Sequence, residues 1–140
     1  MTTAVDTNVI IALWDRDPAV SRPAQTALDN ALNRGALVVS APVFAELMAA
    51  PGRTETFLTT FFNETGISVE FDLDQAIWKA AGRAFQAYVT RRRKQRDPGP
   101  RRILADFLIG AHAFHRGYRL LTLDEALYQA AFSGLTVITP

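Results

Sequence analysis

The chain has 140 residues, 49% of them apolar, and a net charge of +1. This suits one globular domain over residues 1–140 and excludes a disordered chain. It has no cysteine, which excludes disulfides, thiolate zinc sites and a cysteine nucleophile. No run approaches the ~18 to 20 apolar residues of a membrane span. The first apolar stretch follows no basic region and is broken by Asp6, so no signal peptide is read and a cytoplasmic protein away from the membrane is expected.

In chain order, Thr3 to Asp6 reads as a short buried strand, and Asn8 to Trp14 as a helix leaving its end. Asp17-Pro18 starts the next helix, with Asp as cap and Pro at its first position. Ala24, Ala27, Leu28, Ala31 and Leu32 follow at helical spacing until Gly35 stops it. Leu37 to Val39 is a β-branched-rich strand. Ser40 is expected to cap a helix that holds Pro42 in its first turn, carries Glu46 and ends at Pro51-Gly52. Thr54 to Thr65 predicts a helix with Phe57, Leu58, Phe61 and Phe62 on one face, closed by Gly66. This stripe suits a core or a dimer face better than a base-stacking platform. Ile67 to Phe71 alternates as a strand does. Asp72 or Asp74 then opens a long helix reaching about Arg92, broken by Asp97-Pro98-Gly99-Pro100. Ile103 to His115 is a helix stopped by Gly117, Tyr118 to Leu121 a strand, Asp124 to Ala131 a short helix and Leu135 to Ile138 a last strand. Short strands, apolar on both faces and alternating with helices, predict an α/β fold with a parallel sheet covered on its two sides.

Four acids interrupt this pattern. Asp6, Glu46 and Asp106 each sit inside an apolar run that holds no Lys or Arg, and Asp124 ends another. A buried unpaired carboxylate costs several kcal/mol or is forced neutral, on the order of known burial penalties. In an open parallel sheet, ligands bind beyond the carboxyl ends of the strands. Asp6 and Asp124 fall at strand ends, Glu46 follows Leu37 to Val39 by about two helical turns, and Asp106 lies in the first turn or so of a helix that can start near that edge. Four carboxylates gathered there repel one another, and a divalent ion removes the conflict. Oxygen donors alone favour Mg²⁺ or Mn²⁺ over zinc, and such an ion supports phosphodiester hydrolysis. Thr7, Asn8 and Thr122 are placed to orient the carboxylates. Taken singly, Asp106 and Asp124 also fit a helix cap or a dipole partner and Glu46 a solvated position, whereas Asp6, followed by Val9, Ile10 and Ile11, is the hardest to explain that way. His112 and His115 stand three apart on one helix, with no accompanying metal motif.

The small net charge hides an asymmetry. Arg91, Arg92, Arg93, Lys94, Arg96, Arg101 and Arg102 crowd one window in which Asp97 is the sole acid. The rest of the chain is acidic. Such a patch attracts a polyanion, and its Pro98-Gly99-Pro100 loop is expected to reach a phosphate backbone. The alternative is a solvated helix end.

Ala4-Val5-Asp6-Thr7-Asn8-Val9-Ile10, Phe44-Ala45-Glu46-Leu47, Ala105-Asp106-Phe107-Leu108-Ile109-Gly110-Ala111-His112-Ala113 and Leu121-Thr122-Leu123-Asp124 resemble the four acidic motifs of PIN-domain ribonucleases. The closing Phe132-Ser133-Gly134-Leu135-Thr136-Val137-Ile138-Thr139-Pro140 is similar to that family's last strand. Each motif is short, but the four stand in order and span nearly the whole chain. The nearest subgroup looks like the VapC-type toxins of bacterial toxin–antitoxin pairs. The resemblance implies a PIN-like three-layer α/β/α sandwich with about four or five parallel strands. It further implies a Mg²⁺- or Mn²⁺-dependent endoribonuclease acting on tRNA or ribosomal RNA, a cognate antitoxin and commonly a homodimer. By the same carry-over, Asp6, Glu46, Asp106 and Asp124 are the catalytic, metal-binding acids, supported by Asn8 and Thr122. The basic run is longer than the group's pattern, and its RNA-binding role rests on charge alone. Two rivals remain. A non-catalytic RNA-binding domain of the same fold is one. An aspartyl phosphatase is the other, although its usual second Asp is replaced here by Asn8.

Overall fold

The computed structural model describes residues 1–96 and 101–140. The expected break at Asp97-Pro98-Gly99-Pro100 and its loop lie outside the described residues. Five short strands form the sheet: β1 (Thr3–Val5), β2 (Leu37–Ser40), β3 (Ser68–Glu70), β4 (Arg119–Leu121) and β5 (Val137–Ile138). Their order is β3-β2-β1-β4-β5, and every pairing is parallel. The fold is thus an α/β sandwich of the expected kind. β1, β2 and the last two residues of β4 are buried, which is why they read as continuous apolar runs rather than alternating ones.

Helices fill the connections: α1 (Thr7–Leu13), α2 (Pro18–Arg34), α3 (Ala41–Met48), α4 (Glu55–Thr65), α5 (Gln75–Gln95), α6 (Leu104–Arg116) and α7 (Glu125–Ala131). α1 packs on α2 and α3, while α5 packs on α6 and α7. Local chemistry sets several ends. Asp17 accepts from the Ala19 N–H at 3.0 Å, Thr54 from Phe57 at 3.1 Å and Asp74 from Ile77 at 3.0 Å, each satisfying a donor left free in a first turn. Ser40 differs from expectation. It occupies the position before α3, but its buried hydroxyl makes no hydrogen bond there.

Gly110 sets the fit of α6 against α7. A methyl group in its place would overlap the Phe132 ring and lie 3.0 Å from the Tyr128 ring. The aromatic stripe of α4 divides. Leu58 and Phe62 enter the core, while Phe57 and Phe61 meet Trp14 edge-on at 5.6 and 5.2 Å. No helix among the described residues is long and apolar enough to cross a membrane.

Candidate active site

β1 and β4 are neighbours whose outgoing chains turn to opposite ends of the sheet, β1 toward β2 and β4 toward β5. This is the topological switch point at which open α/β sheets bind ligands. Asp6 follows β1, and its N–H bonds the Leu121 carbonyl at 2.9 Å. Thr122 follows β4, with its N–H on the Ile138 carbonyl at 3.0 Å. Two adjacent strand ends are thereby locked side by side.

The Thr122 hydroxyl joins the pieces. It donates to Asp6 Oδ2 at 2.7 Å and accepts from the Asp124 N–H at 3.0 Å. Asn8 Nδ2 reaches the same oxygen at 3.5 Å, while Asn8 Oδ1 accepts from the Leu123 N–H at 3.1 Å. Asn8 therefore ties the start of α1 to the loop after β4. On the other side, the Thr7 hydroxyl donates to Glu46 Oε1 at 2.6 Å, orienting the acid carried by α3. Asp106 lies in the first turn of α6 and bends back toward the Ile103 N–H at 3.5 Å, a weak contact at that length.

Burial separates the four acids. Asp6 is 4% exposed, whereas Glu46, Asp106 and Asp124 are half-buried. The apolar runs around those three pack one side of each helix or strand end against the core and leave the acid on the rim. Burial pushes the Asp6 carboxyl up to about 6, against the pull of the Thr122 hydroxyl and the Thr7 N–H, and the charge of Asp106 adds to the rise. Asp106 is raised chiefly by burial, opposed by the Ile103 N–H, with Glu46 and Asp124 repelling it and Arg102 opposing them. The four charges thus feel one another at one edge of the sheet.

Two residues at the site carried no sequence signal. Tyr128 of α7 is buried, and its hydroxyl lies beside Asp6 without a hydrogen bond of good geometry. Burial and the charges of Asp6, Asp106 and Asp124 push that phenol far up. Tyr88 of α5 accepts from the Arg102 backbone N–H at 2.9 Å and from Arg92 Nη1 at 3.3 Å. Both tyrosines look like ordinary core residues in sequence, because only tertiary packing brings Tyr128 beside Asp6 and Tyr88 onto Arg102.

The basic run divides as well. Arg91, Arg92, Arg93 and Lys94 occupy the last turns of α5, and Arg96 is its left-handed terminal residue. Arg91, Arg93, Lys94, Arg96 and Arg101 are exposed. Arg102 instead turns inward and pairs with Asp124 Oδ2 at 2.5 Å. The two histidines do not act together. His112 is buried with Nε2 2.8 Å from Glu70 Oε1, while His115 is exposed. Glu70 Oε2 accepts from the Tyr118 hydroxyl at 2.8 Å, so this group clamps β3 to α6.

Does the site fit a divalent ion? The donors are carboxylates and hydroxyls, as a hard cation requires. Burial is the main cause of the raised Asp6 and Asp106, with neighbouring carboxylates adding to it, and a cation from the chain itself is already drawn onto Asp124. Among the described residues no three acids or histidines are grouped as a ready cage. Thr7 holds Glu46 and Arg102 holds Asp124 in their present positions. The chemistry of the donors fits, although among the described residues they are not grouped as they stand.

A family model described as the PIN domain matches residues 3–133. The chain belongs to the PIN-domain family. Among solved structures, it is similar to the DNA-bound VapBC of Salmonella typhimurium, with a TM-score of 0.66 and 21% identity over 99% of this chain and 98% of that one. VapBC2 of Rickettsia felis, bound to a DNA fragment from its promoter, matches with a TM-score of 0.63 and 15% identity over 99% and 98%. FitAcB of Neisseria gonorrhoeae matches with a TM-score of 0.64 and 20% identity over 97% and 96%. At these identities the likeness is one of fold. No curated protein matches the sequence.

Proposed function

We propose that this PIN domain, a single unit over residues 1–140, is a divalent-metal-dependent endoribonuclease that works as the toxin of a toxin–antitoxin pair. The observation that supports the reading is that the charge of Asp106 reaches Asp6, and those of Glu46 and Asp124 reach Asp106, beside the switch point of the sheet. Membership in a family of nucleases supports the reaction class. The toxin role rests on the likeness to VapBC complexes across nearly the whole of each chain.

Asp6, Asp106 and Asp124 would hold Mg²⁺ or Mn²⁺, with Glu46 assisting directly or through water. Such an ion lowers the pKa of a water and offsets the charge on the departing oxygen. The chain's own groups do the rest. Thr122 and Thr7 hold the Asp6 and Glu46 carboxylates in register, and Asn8 keeps the loop after β4 in place. Arg91, Arg92, Arg93, Lys94, Arg96, Arg101 and Arg102 supply the positive surface that binds the RNA backbone. The RNA is a structured cellular one, tRNA or ribosomal. A small antitoxin blocks the site, the toxin forms a homodimer, and it acts in the cytoplasm. The phosphatase rival lacks its usual second Asp at position 8, where Asn8 bonds Thr122 and Leu123, and a phosphomonoester assay separates the two.

One observation favours a second reading, a domain that binds RNA without cutting it: the acids are not grouped as a ready cage. Brief expression in bacteria followed by mapping of new RNA 5′ ends separates the two. A discrete set of ends, lost with Asp6→Asn, supports the nuclease. Unchanged RNA under both proteins refutes it.

A further inference from the structure

Arg102 is the member of the basic run that pairs with one of the four acids, its side chain still partly open to solvent. Its guanidinium meets Asp124 Oδ2 at 2.5 Å, and its charge is also felt at Asp106. The side chain is held at both ends. The Tyr88 hydroxyl fixes its backbone N–H at 2.9 Å, and the carboxylate fixes its head. Tyr88 is in turn built into the molecule, its ring 5.5 Å from the buried Phe107 ring. The contact is therefore a placed one, not a long side chain resting on a convenient acid.

Its position has a chemical consequence. Arg102 holds Oδ2 of Asp124, and its positive charge repels a divalent cation brought to either oxygen of that carboxylate. A guanidinium and a divalent cation each neutralise the same negative charge. We infer that Arg102 is an internal counter-ion that occupies the acidic site in the metal-free protein and competes with the divalent ion for Asp124. This rests on reading the four acids as a metal centre and adds a regulation to it. Ion binding and release of Arg102 are then linked events. Anything that holds Arg102 elsewhere, such as a phosphate of the RNA drawn to the same run, raises the affinity for the ion by the same factor that the ion raises affinity for the phosphate. Substrate and ion would load together, and the site stays neutralised when both are absent.

The test is Mn²⁺ binding to the full chain without RNA, followed by the loss of the free-ion electron paramagnetic resonance signal. The proteins are wild type, Arg102→Met, Tyr88→Phe and Arg91→Met. Arg102→Met keeps the stem and removes the charge. Its Mn²⁺ affinity should rise roughly fivefold, the scale of a partly exposed ion pair. Tyr88→Phe releases the tether and should give a smaller rise. Arg91→Met, which takes a charge from the exposed part of the run, should change affinity less than Arg102→Met does. Equal affinity in wild type and Arg102→Met overturns the inference while leaving the metal centre standing. An equal rise in Arg91→Met overturns it too, because the effect is then one of general charge. No Mn²⁺ bound by any of the four proteins overturns the metal centre itself and the inference with it.

Discussion

Replacing Asp6 with Asn should make the metal-free protein more stable at neutral pH, the reverse of the usual result for a buried position. The Asp6 carboxyl rises from 3.8 to about 6 in the fold because burial disfavours its charge. A tenfold change in proton affinity is worth about 1.36 kcal/mol, so holding the ionised group costs the folded state about 3 kcal/mol above pH 6. The folded state binds the proton more tightly than the unfolded chain. The associated stability is therefore fully present below 3.8 and is lost as pH rises from there through about 6. Asn keeps an acceptor for Thr122, and its new N–H₂ faces the unpartnered Tyr128 hydroxyl. The gain at pH 7.5 should be about 2 to 3 kcal/mol. For a chain of this length, unfolding entropy near Tm is about 0.3 kcal/mol per degree, so Tm should rise by roughly 7 to 10 °C. The assay is thermal unfolding in EDTA from pH 4 to pH 8. The gain should shrink toward zero at pH 4, where Asp6 in the folded wild type already carries a proton. A variant less stable than wild type at pH 7.5, or a gain that does not change with pH, would refute the reasoning.

Other positions give independent checks. Gly110→Ala forces a methyl group against the Phe132 and Tyr128 rings, and overpacking of this kind should cost about 1–3 kcal/mol in urea unfolding. Thr122→Val removes the donor to Asp6 and the acceptor for the Asp124 N–H. It should cost about 1–2 kcal/mol at pH 7.5. It should also move the acidic limb of the pH–rate profile for RNA cleavage upward, because Asp6 loses a bond that favours its charge. Arg91→Ala combined with Arg92→Ala should weaken RNA binding and lower the slope of log K against log salt by roughly 1.4 to 1.8, the range for two phosphate contacts on single strands and duplex. An unchanged slope would leave these two side chains as solvated surface.

Much of the fold is legible in the chain because its signals are local. Asp17 before Pro18, Thr54, Asp74, Gly66 and Gly117 mark helix ends by groups that act within one turn. The apolar strands announce a buried parallel sheet because nothing polar is tolerated on either face. Asp6 is legible for the same reason, as a charge where the core has no use for one. Ser40 misleads because a hydroxyl near a helix start signals a cap whether or not its side chain turns toward the free donors. The depth of the other acids is also hidden, since an apolar run does not say which side of a helix faces out. Arg102 is the largest omission. It belongs to a run of cations that reads as surface, and its pairing with Asp124, which stands 22 positions later, together with the Tyr88 hydroxyl on its backbone, appears only in the folded chain. Tyr128 is hidden likewise, because a core tyrosine and one placed beside a carboxylate have the same sequence pattern.

The central claim is that these acids cut RNA with the help of a divalent ion. The most direct measurement is cleavage of total cellular RNA by the purified full chain, with Mn²⁺ or with EDTA, comparing wild type and Asp106→Asn. Asp106 lies in the first turn of α6 and is only half-buried, so the variant should fold as wild type does. The account predicts discrete fragments from the wild type with Mn²⁺, none with EDTA, and a rate at least about 100-fold lower for Asp106→Asn, the scale seen when a group that acts in the transition state is removed. Fragments formed equally well in EDTA, or by Asp106→Asn at the wild-type rate, would contradict it.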